Sequence, residues 1–497
     1  GVRWDVGGFT STSLPVMPIL RRVLPITALL LFAAARPAID ASVPPQGSTV
    51  ASAAQGIPGA PDRPNIVFVL LDDARYDDLI DHPFAELPNL KRLVKEGASF
   101  TNFHTSAPLC SPSRAVFMTG QYPYRNGIVD NGERAEQSHR IVTFPKLLQD
   151  AGYRTGFFGK WHMGHADDSP RPGFDRWVSF VGQGVYFDPD LNIDGKPAKA
   201  RGYMTEILTE HAVSFIASVP DTQPFLVVMA QKAVHPEIYP NFVRSFPPAP
   251  RDAHQYHDAA IPRGPSWRAP LTGKPALQRP YDVSDPRSPA GGLPDSVVLD
   301  RLRMLSAIDR SLGELIETLE RRGLRDRTVI VVTSDQGFFY GEFGLAQERR
   351  LAYEPSIHIP FIVRYPRLAK PGSQPRTLAS NVDVAPTLLA LGGVKAPATM
   401  DGRSLLPALA ANASQVRDEL LIEYYSDTEF PRVKGMGYKA VRTTRYKYIR
   451  YDELRGMDEV YDLVKDPHEL DNLYPDRVPA GVMADLTARL GRLLSAR

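Results

Sequence analysis

The sequence predicts an α/β fold, a large mixed and mostly parallel sheet with helices on both faces, followed by a smaller C-terminal α+β subdomain with an antiparallel sheet. Three observations predict it. From Asn65 onward, short apolar runs of strand character alternate with segments of helical periodicity, the form taken by a sheet covered on both faces. Clusters of polar residues follow the ends of several apolar runs, as expected where ligands bind at the carboxyl edge of such a sheet. After about Leu406 the pattern changes to alternating residues typical of antiparallel strands.

Taken in order, Ile66 to Leu71 reads as a buried strand. Leu90, Leu93 and Val94 mark a short helix ended by Gly97, and Phe144, Leu147 and Leu148 mark another before Gly152. Between them the run Cys110-Ser111-Pro112-Ser113-Arg114 opens a helix, with Ser111 as N-cap, Pro112 at the first helical position and Gly120 as the end. Arg154 to Phe158 and Phe225 to Met229 read as strands. Between Arg301 and Arg322, Leu302, Leu305, Ile308, Leu312, Leu315, Ile316 and Leu319 fall at helical spacing with charged residues opposite, a surface helix packed on a sheet. Thr328 to Val332 and Pro360 to Val363 follow as strands. The C-terminal strands are Leu420 to Tyr425, Tyr438 to Arg442, Tyr446 to Tyr451 and Val460 to Leu463, and the closing helix carries Val482, Leu486, Leu490 and Leu493 on one face.

Two stretches depart from this order. Arg21 and Arg22 precede the apolar run Val23 to Ala35, closed by small residues, which reads as a secretory signal peptide over about residues 17–38 with Met17 as its start. Ala38 to Arg63, rich in Pro, Ser, Ala and Gly, reads as a disordered linker. The expected organisation is leader and linker over 1–63, a catalytic domain over 64–405 and the C-terminal subdomain over 406–497. Within the catalytic domain, the Pro-rich segment Pro240 to Pro294 is expected to be an insertion over the pocket that shapes substrate choice, or else a surface decoration. Asn412-Ala413-Ser414 would accept a glycan only in a eukaryotic secretory pathway.

The 497-residue chain is 43% hydrophobic with a formal net charge of +2, and it lacks a long Lys/Arg run. This composition points away from nucleic acid and from an anionic membrane surface, so any anion preference is local. The leader predicts an exported protein, periplasmic or secreted, with no stable membrane anchor. Cys110 is the only cysteine, so no internal disulfide forms and its role, if any, is chemical. A cysteine at the start of a helix faces free backbone N–H groups and the positive end of the dipole, and Arg114 one turn on adds a fixed positive fork. The place suits an oxyanion.

Asp72 and Asp73, Lys160 and His162, His235, and Asp335 and Gln336 all lie beyond the carboxyl ends of predicted strands. Three carboxylates and an amide oxygen, without His or Cys pairs at zinc spacing, make a hard oxygen site for Ca²⁺ or Mg²⁺. His104, His139, His254 and His257 receive no role.

The run Cys110-Ser111-Pro112-Ser113-Arg114 with Thr119-Gly120-Gln121-Tyr122-Pro123 resembles the signature of the type I, formylglycine-dependent sulfatases. The resemblance extends from Pro64 to about Leu473. It takes in Pro64-Asn65-Ile66-Val67 with Asp72-Asp73, Gly159-Lys160-Trp161-His162-Met163-Gly164, Lys232-Ala233-Val234-His235, Ser334-Asp335-Gln336-Gly337, Tyr353-Glu354, and Tyr461-Asp462-Leu463 with Asp466-Pro467-His468-Glu469. It implies an alkaline-phosphatase-like fold and a formylglycine made from Cys110 by a formylglycine-generating enzyme. It implies a metal held by Asp72, Asp73, Asp335, Gln336 and modified Cys110, and a sulfate pocket lined by Arg114, Lys160, His162 and His235. Arg349 stands where many relatives have lysine; it keeps the charge and cannot readily give up a proton, unless Glu348-Arg349-Arg350 is only a solvated run. Gln336 stands where Asn or His is frequent. The implied substrate is a sulfated small molecule or glycan, with an N-acetylglucosamine-6-sulfatase-like activity. The alternatives are a phosphodiesterase or phosphonate monoester hydrolase of the same superfamily, and a non-catalytic sulfated-glycan binder.

Overall fold

The strand Asn65–Leu71 is buried along its whole length, and its alternating side chains organise both layers of the computed structural model, which describes residues 63–80, 82–287, 291–411, 415–426 and 430–495. Val67, Val69 and Leu71 point to one face, where they join Leu302, Leu305, Ile308 and Leu312 of the long helix Asp295–Arg321. Ile66, Phe68 and Leu70 point to the other, against Phe117, Phe144, Leu148 and Leu388. Each such side chain contributes about 1.5–3 kcal/mol on full burial, which sets the register of the sheet firmly.

Nine strands form the main sheet in the order Ala98–Ser99, Phe361–Arg364, Thr328–Ser334, Asn65–Leu71, Phe225–Ala230, Arg154–Gly159, Arg176–Ser179, Asp190–Ile193 and Lys196–Lys199. The five from Thr328–Ser334 to Arg176–Ser179 are mutually parallel, and both edges are closed by antiparallel strands. The sheet is thus mixed and mostly parallel at its centre, with helices on both faces. The strands Asp190–Ile193 and Lys196–Lys199 escape sequence reading because each is only four residues long and Leu191 alone among them is buried.

Two local expectations are corrected. The helix of the cysteine run spans Cys110–Thr119 with Leu109 as its N-cap, so Ser111 lies inside the first turn and caps nothing. The long helix is not polar on its outer side throughout: Arg301 and Asp309 are buried. Asp309 accepts from the backbone N–H groups of Asn89 (3.2 Å) and Leu90 (2.8 Å), capping from a distance the helix Pro88–Glu96, whose own N-cap Leu87 has no side chain to offer.

A four-stranded antiparallel meander follows, Glu419–Tyr424, Tyr438–Thr443, Tyr446–Tyr451 and Glu459–Asp462. On one side Leu421, Val441 and Val460 pack with Leu486 and Leu490 of the helix Val482–Ser495. On the other side Ile422, Tyr438 and Tyr461 share a core with Phe339 and Tyr353 of the main domain and with Ala276 and Leu277 of the Pro-rich segment. Buried Lys274 donates to the Tyr461 hydroxyl and to the Glu469 carbonyl, both at 2.8 Å. Glu354, which opens the short helix Glu354–Ile357, accepts from Arg442 at 3.0 and 3.2 Å and from Lys447 at 3.1 Å, a half-buried ionic joint between the main domain and the antiparallel sheet. Among the described residues no helix is long and apolar enough to cross a membrane. The predicted leader, the linker up to residue 62 and Asn412-Ala413-Ser414 lie outside the described residues.

Candidate active site

Adjacent parallel strands end level with one another, and that register assembles the site. Leu71 pairs with Ser334, Leu70 with Ala230, and Ala230 with Gly159, so Asp72, Asp335 and Lys160 leave the sheet at one edge. Backbone bonds extend the alignment past the strands: Asp335 N–H donates to Leu71 O at 3.0 Å, Asp72 N–H to Ala233 O at 3.0 Å, and Val234 N–H to Asp72 O at 2.7 Å. Asp73 then turns through a left-handed conformation (φ 59°) that swings its carboxylate beside that of Asp72.

Ligand atoms of Asp72, Asp73 and Asp335 lie within 4.8 Å of one another, as do those of Asp72, Cys110 and His235. Arg114 holds the carboxylates together, reaching Asp335 Oδ2 at 2.8 and 3.0 Å and Asp72 Oδ2 at 3.2 Å while donating to Lys160 O at 2.7 Å. Lys160 Nζ donates to Asp72 Oδ2. Gln336 Nε2 donates to Asp73 Oδ1 at 2.8 Å and to Cys110 Sγ at 3.1 Å. Arg349 sets Nε 3.3 Å from Asp73 Oδ1 and one terminal nitrogen 3.1 Å from His235 Nε2. On the far side His162 approaches Ser111 Oγ with Nδ1 at 3.3 Å, and Gln183 Nε2 stands 3.0 Å from its Nε2. The ten residues named from the sequence are brought together at this edge, and all are buried.

Burial penalises every charge here, and the neighbours decide which survive. Against that penalty Lys160 and Arg114 hold the Asp72 carboxyl below its ordinary pKa. Asp335 is pushed up to about 7 by burial and by the Asp72 charge. Burial raises the Cys110 thiol to about 11, so the residue carries no thiolate at neutral pH. Burial and then the Lys160 charge hold His162 and His235 well below the usual histidine range.

The donor set fits a hard divalent cation. Asp73 Oδ2 and Gln336 Oε1 are buried without a hydrogen-bond partner, a costly arrangement that a cation beside the three carboxylates would relieve. The three carboxylates are balanced by three cations, Arg114, Lys160 and Arg349. A divalent ion on the carboxylates therefore leaves a net positive site suited to an anionic ester.

Four further residues belong to the site. Lys232 is buried with Nζ 3.2 Å from Pro236 O and 4.6 Å from the Tyr186 ring centre, and burial and the Lys160 charge lower its pKa to about 7. Tyr186 donates to His235 O at 2.6 Å. Arg301 donates to Asp73 O at 2.5 Å and Val234 O at 2.9 Å. Gln183 faces His162 as above. Only Lys232 had a sequence signal, its place in the Lys-Ala-Val-His run; the others reach the site from distant elements.

Comparison with known proteins agrees with this geometry. The family described as Sulfatase matches residues 64–394, and the C-terminal region of N-sulphoglucosamine sulphohydrolase matches residues 341–496. The chain belongs to the sulfatase family. It is accordingly a sulfuric ester hydrolase. It is 31% identical over 476 residues to an N-acetylglucosamine-6-O-sulfatase of Bacteroides thetaiotaomicron, covering 83% of each chain. A solved structure of a protein in complex with its substrate D-glucosamine-2-N,6-O-disulfate superposes with a TM-score of 0.76 at 28% identity, covering 87% of this chain and 98% of that one. The phosphonate monoester hydrolase of Agrobacterium radiobacter superposes at 0.66 with 20% identity, covering 87% and 95%, and shares the fold.

Proposed function

We propose that the protein is an exported sulfatase that hydrolyses a sulfate monoester on a glucosamine-type sugar, using formylglycine made from Cys110 by a formylglycine-generating enzyme. The observation that carries this reading is the position of Cys110 at the start of a helix, its sulfur within 4.8 Å of ligand atoms on both Asp72 and His235. The relatives that support the sugar are the N-acetylglucosamine-6-O-sulfatase and the glucosamine disulfate complex.

Asp72, Asp73, Asp335 and the Gln336 carbonyl would hold Ca²⁺, with Mg²⁺ as the other hard candidate, and residue 110 would complete the shell once modified. Such an ion would lower the cost of forming an alkoxide and polarise the sulfuryl oxygens. The hydrated aldehyde at position 110 carries two hydroxyls. One would attack sulfur as the S–O bond to the sugar breaks, its proton passing through His235 to the leaving oxygen; loss of the second hydroxyl's proton would then reform the aldehyde carbonyl and expel sulfate.

Lys160 and Arg349 face the transferring group and stabilise its charge. Arg114, spent on Asp72 and Asp335, acts mainly by clamping the carboxylates. His235 takes up the attacking hydroxyl's proton on Nε2, the ring atom that faces Arg349 at rest, and hands it to the leaving alcohol. Its ring is neutral at rest, and an anionic ester drawn alongside opposes the positive charges that keep it so. His162 takes the proton of the second hydroxyl.

The test is the mass of the peptide carrying Cys110 after co-expression with a formylglycine-generating enzyme, with sulfate release from N-acetylglucosamine 6-sulfate before chelation, after it, and after Ca²⁺ is restored. Sulfur replaced by a carbonyl oxygen, and release that follows the cation, are expected. An intact thiol under those conditions sinks the mechanism. Faster turnover of a phosphonate monoester than of any sulfate ester sinks the substrate class.

A further inference from the structure

We propose that Arg244, on the Pro-rich segment, receives a second anionic substituent on the sugar that carries the scissile sulfate, and so sets specificity for doubly charged sugars. This rests on the sulfated-glucosamine reading above and assigns that substrate an additional contact.

Arg244 lies on a short hairpin, Glu237–Ile238 paired with Arg244–Ser245, that begins two residues after His235. Tyr186 fixes both ends of the connection, its backbone N–H donating to Glu237 Oε2 at 2.7 Å and its hydroxyl to His235 O at 2.6 Å. The hairpin therefore cannot move independently of the histidine. Its other contact is with the loop of Arg349: Arg244 donates to Gln347 Oε1 at 2.9 Å. Arg244 and Arg350 lie over the same ring, Phe430, at 5.5 and 3.8 Å.

Arg244 and Arg349 lie close enough on this wall for their charges to act on each other, and Glu348 Oε1 accepts from the Arg349 N–H at 2.9 Å. Arg349 also faces Asp73. Among the described residues, the hydrogen-bond partner of Arg244 is a neutral amide. Burial, then the Arg349 charge, pushes the half-buried guanidinium down to about 10. The rest of its planar fork is free to grip a sulfate or carboxylate bidentately. A guanidinium that among the described residues hydrogen-bonds a neutral amide, on the flank of Arg349 and held by a segment outside the main sheet, suits recognition of a second charge on the same sugar.

The experiment compares the matured full-length protein with Arg244→Gln and Arg244→Lys on N-acetylglucosamine 6-sulfate and on glucosamine 2-N,6-O-disulfate, which differ in the second anion. The parent should favour the disulfate. In Arg244→Gln the ratio of kcat/KM between the two sugars should fall by about 10- to 100-fold, the worth of a charge-assisted hydrogen bond, chiefly through KM. Arg244→Lys should keep part of that ratio. Equal losses on both sugars, with the ratio held within about twofold, would make Arg244 a brace for the Arg349 loop and overturn the proposal. Should Arg244→Gln fail to fold, the parent alone decides, since a preference for the disulfate under about threefold overturns it. A parent with converted Cys110 that hydrolyses neither sugar brings down the sulfated-glucosamine reading itself, whereas hydrolysis of both with an unresponsive ratio removes only the role of Arg244.

Discussion

Arg349 and His235 meet at 3.1 Å, guanidinium against Nε2, while His235 Nδ1 lies 2.7 Å from the Pro236 carbonyl. In the neutral ring Nδ1 carries the proton and Nε2 accepts from Arg349, so Nε2 is the atom that can take up a proton and pass it on once Arg349 turns to the ester. Arg349→Ala should lower kcat/KM by about 10²- to 10³-fold on sugar and aryl sulfates alike, because the charge it loses faces the sulfate common to both. Arg349→Lys should recover part of that loss. His235→Ala should instead penalise the sugar ester more than an activated aryl ester, since only the poor leaving group needs a proton. Steady-state rates on both ester types check the pair, and a loss under about threefold in Arg349→Ala would remove Arg349 from the site's chemistry.

Arg301 braces the metal-side loop from behind. It is buried on the long helix, donates to the carbonyls of Asp73 and Val234, approaches the Tyr340 hydroxyl at 3.1 Å, and stacks 4.1 Å from the Phe338 ring centre. Arg301→Met leaves two buried carbonyls without donors and should cost about 2–4 kcal/mol of unfolding free energy in denaturant titration. Ca²⁺ binding measured by calorimetry should weaken with it, because Asp73 is no longer held in its left-handed turn. Arg301→Lys can serve one carbonyl at most and should fall between. Unaltered Ca²⁺ affinity in a folded Arg301→Met protein would confine the residue to packing.

Acid should destabilise the protein through its buried neutral histidines, His104 contributing one proton beside His162 and His235. The His104 ring is buried beside Glu354 at 3.2 Å, and burial, then the Arg442 charge, lowers its pKa to about 3. A histidine with a lowered folded-state pKa is protonated first in the unfolded chain, so stability falls as pH drops below the ordinary value of about 6.5 and goes on falling until about 3. The slope for one such proton is about 1.4 kcal/mol per pH unit. Glu354 adds to the loss below its own unfolded pKa, since Arg442 and Lys447 outweigh its burial and keep it ionised in the folded state. Denaturant midpoints between pH 7 and 5 should therefore decline, and His104→Asn should flatten the decline by about one proton. An equal slope in the two proteins would clear His104 of the effect.

The sequence by itself determined the central strands, the sites where polar residues leave them, and the chemistry those residues can perform. Asn65–Leu71 and Thr328–Ser334 are legible because burial on both faces demands unbroken apolar runs, and Asp72, Asp73, Asp335 and Gln336 because they interrupt those runs at the carboxyl ends. Cys110 and Arg114 are legible because one turn of helix puts both at its positive end. The hairpin of Asp190–Ile193 and Lys196–Lys199 left no such mark, since its strands are four residues long and bury Leu191 alone. Tertiary structure alone decided that Arg301 and Asp309 turn inward to satisfy backbone groups of other elements, and that Arg114 is spent on the carboxylates. It alone also decided that Arg244 and Gln347, 103 residues apart, join the Pro-rich segment to the loop of Arg349. The physical reason is common to all of them. Periodicity records which residues leave water, whereas the partner a buried charge finds depends on which distant chain segment the fold brings beside it.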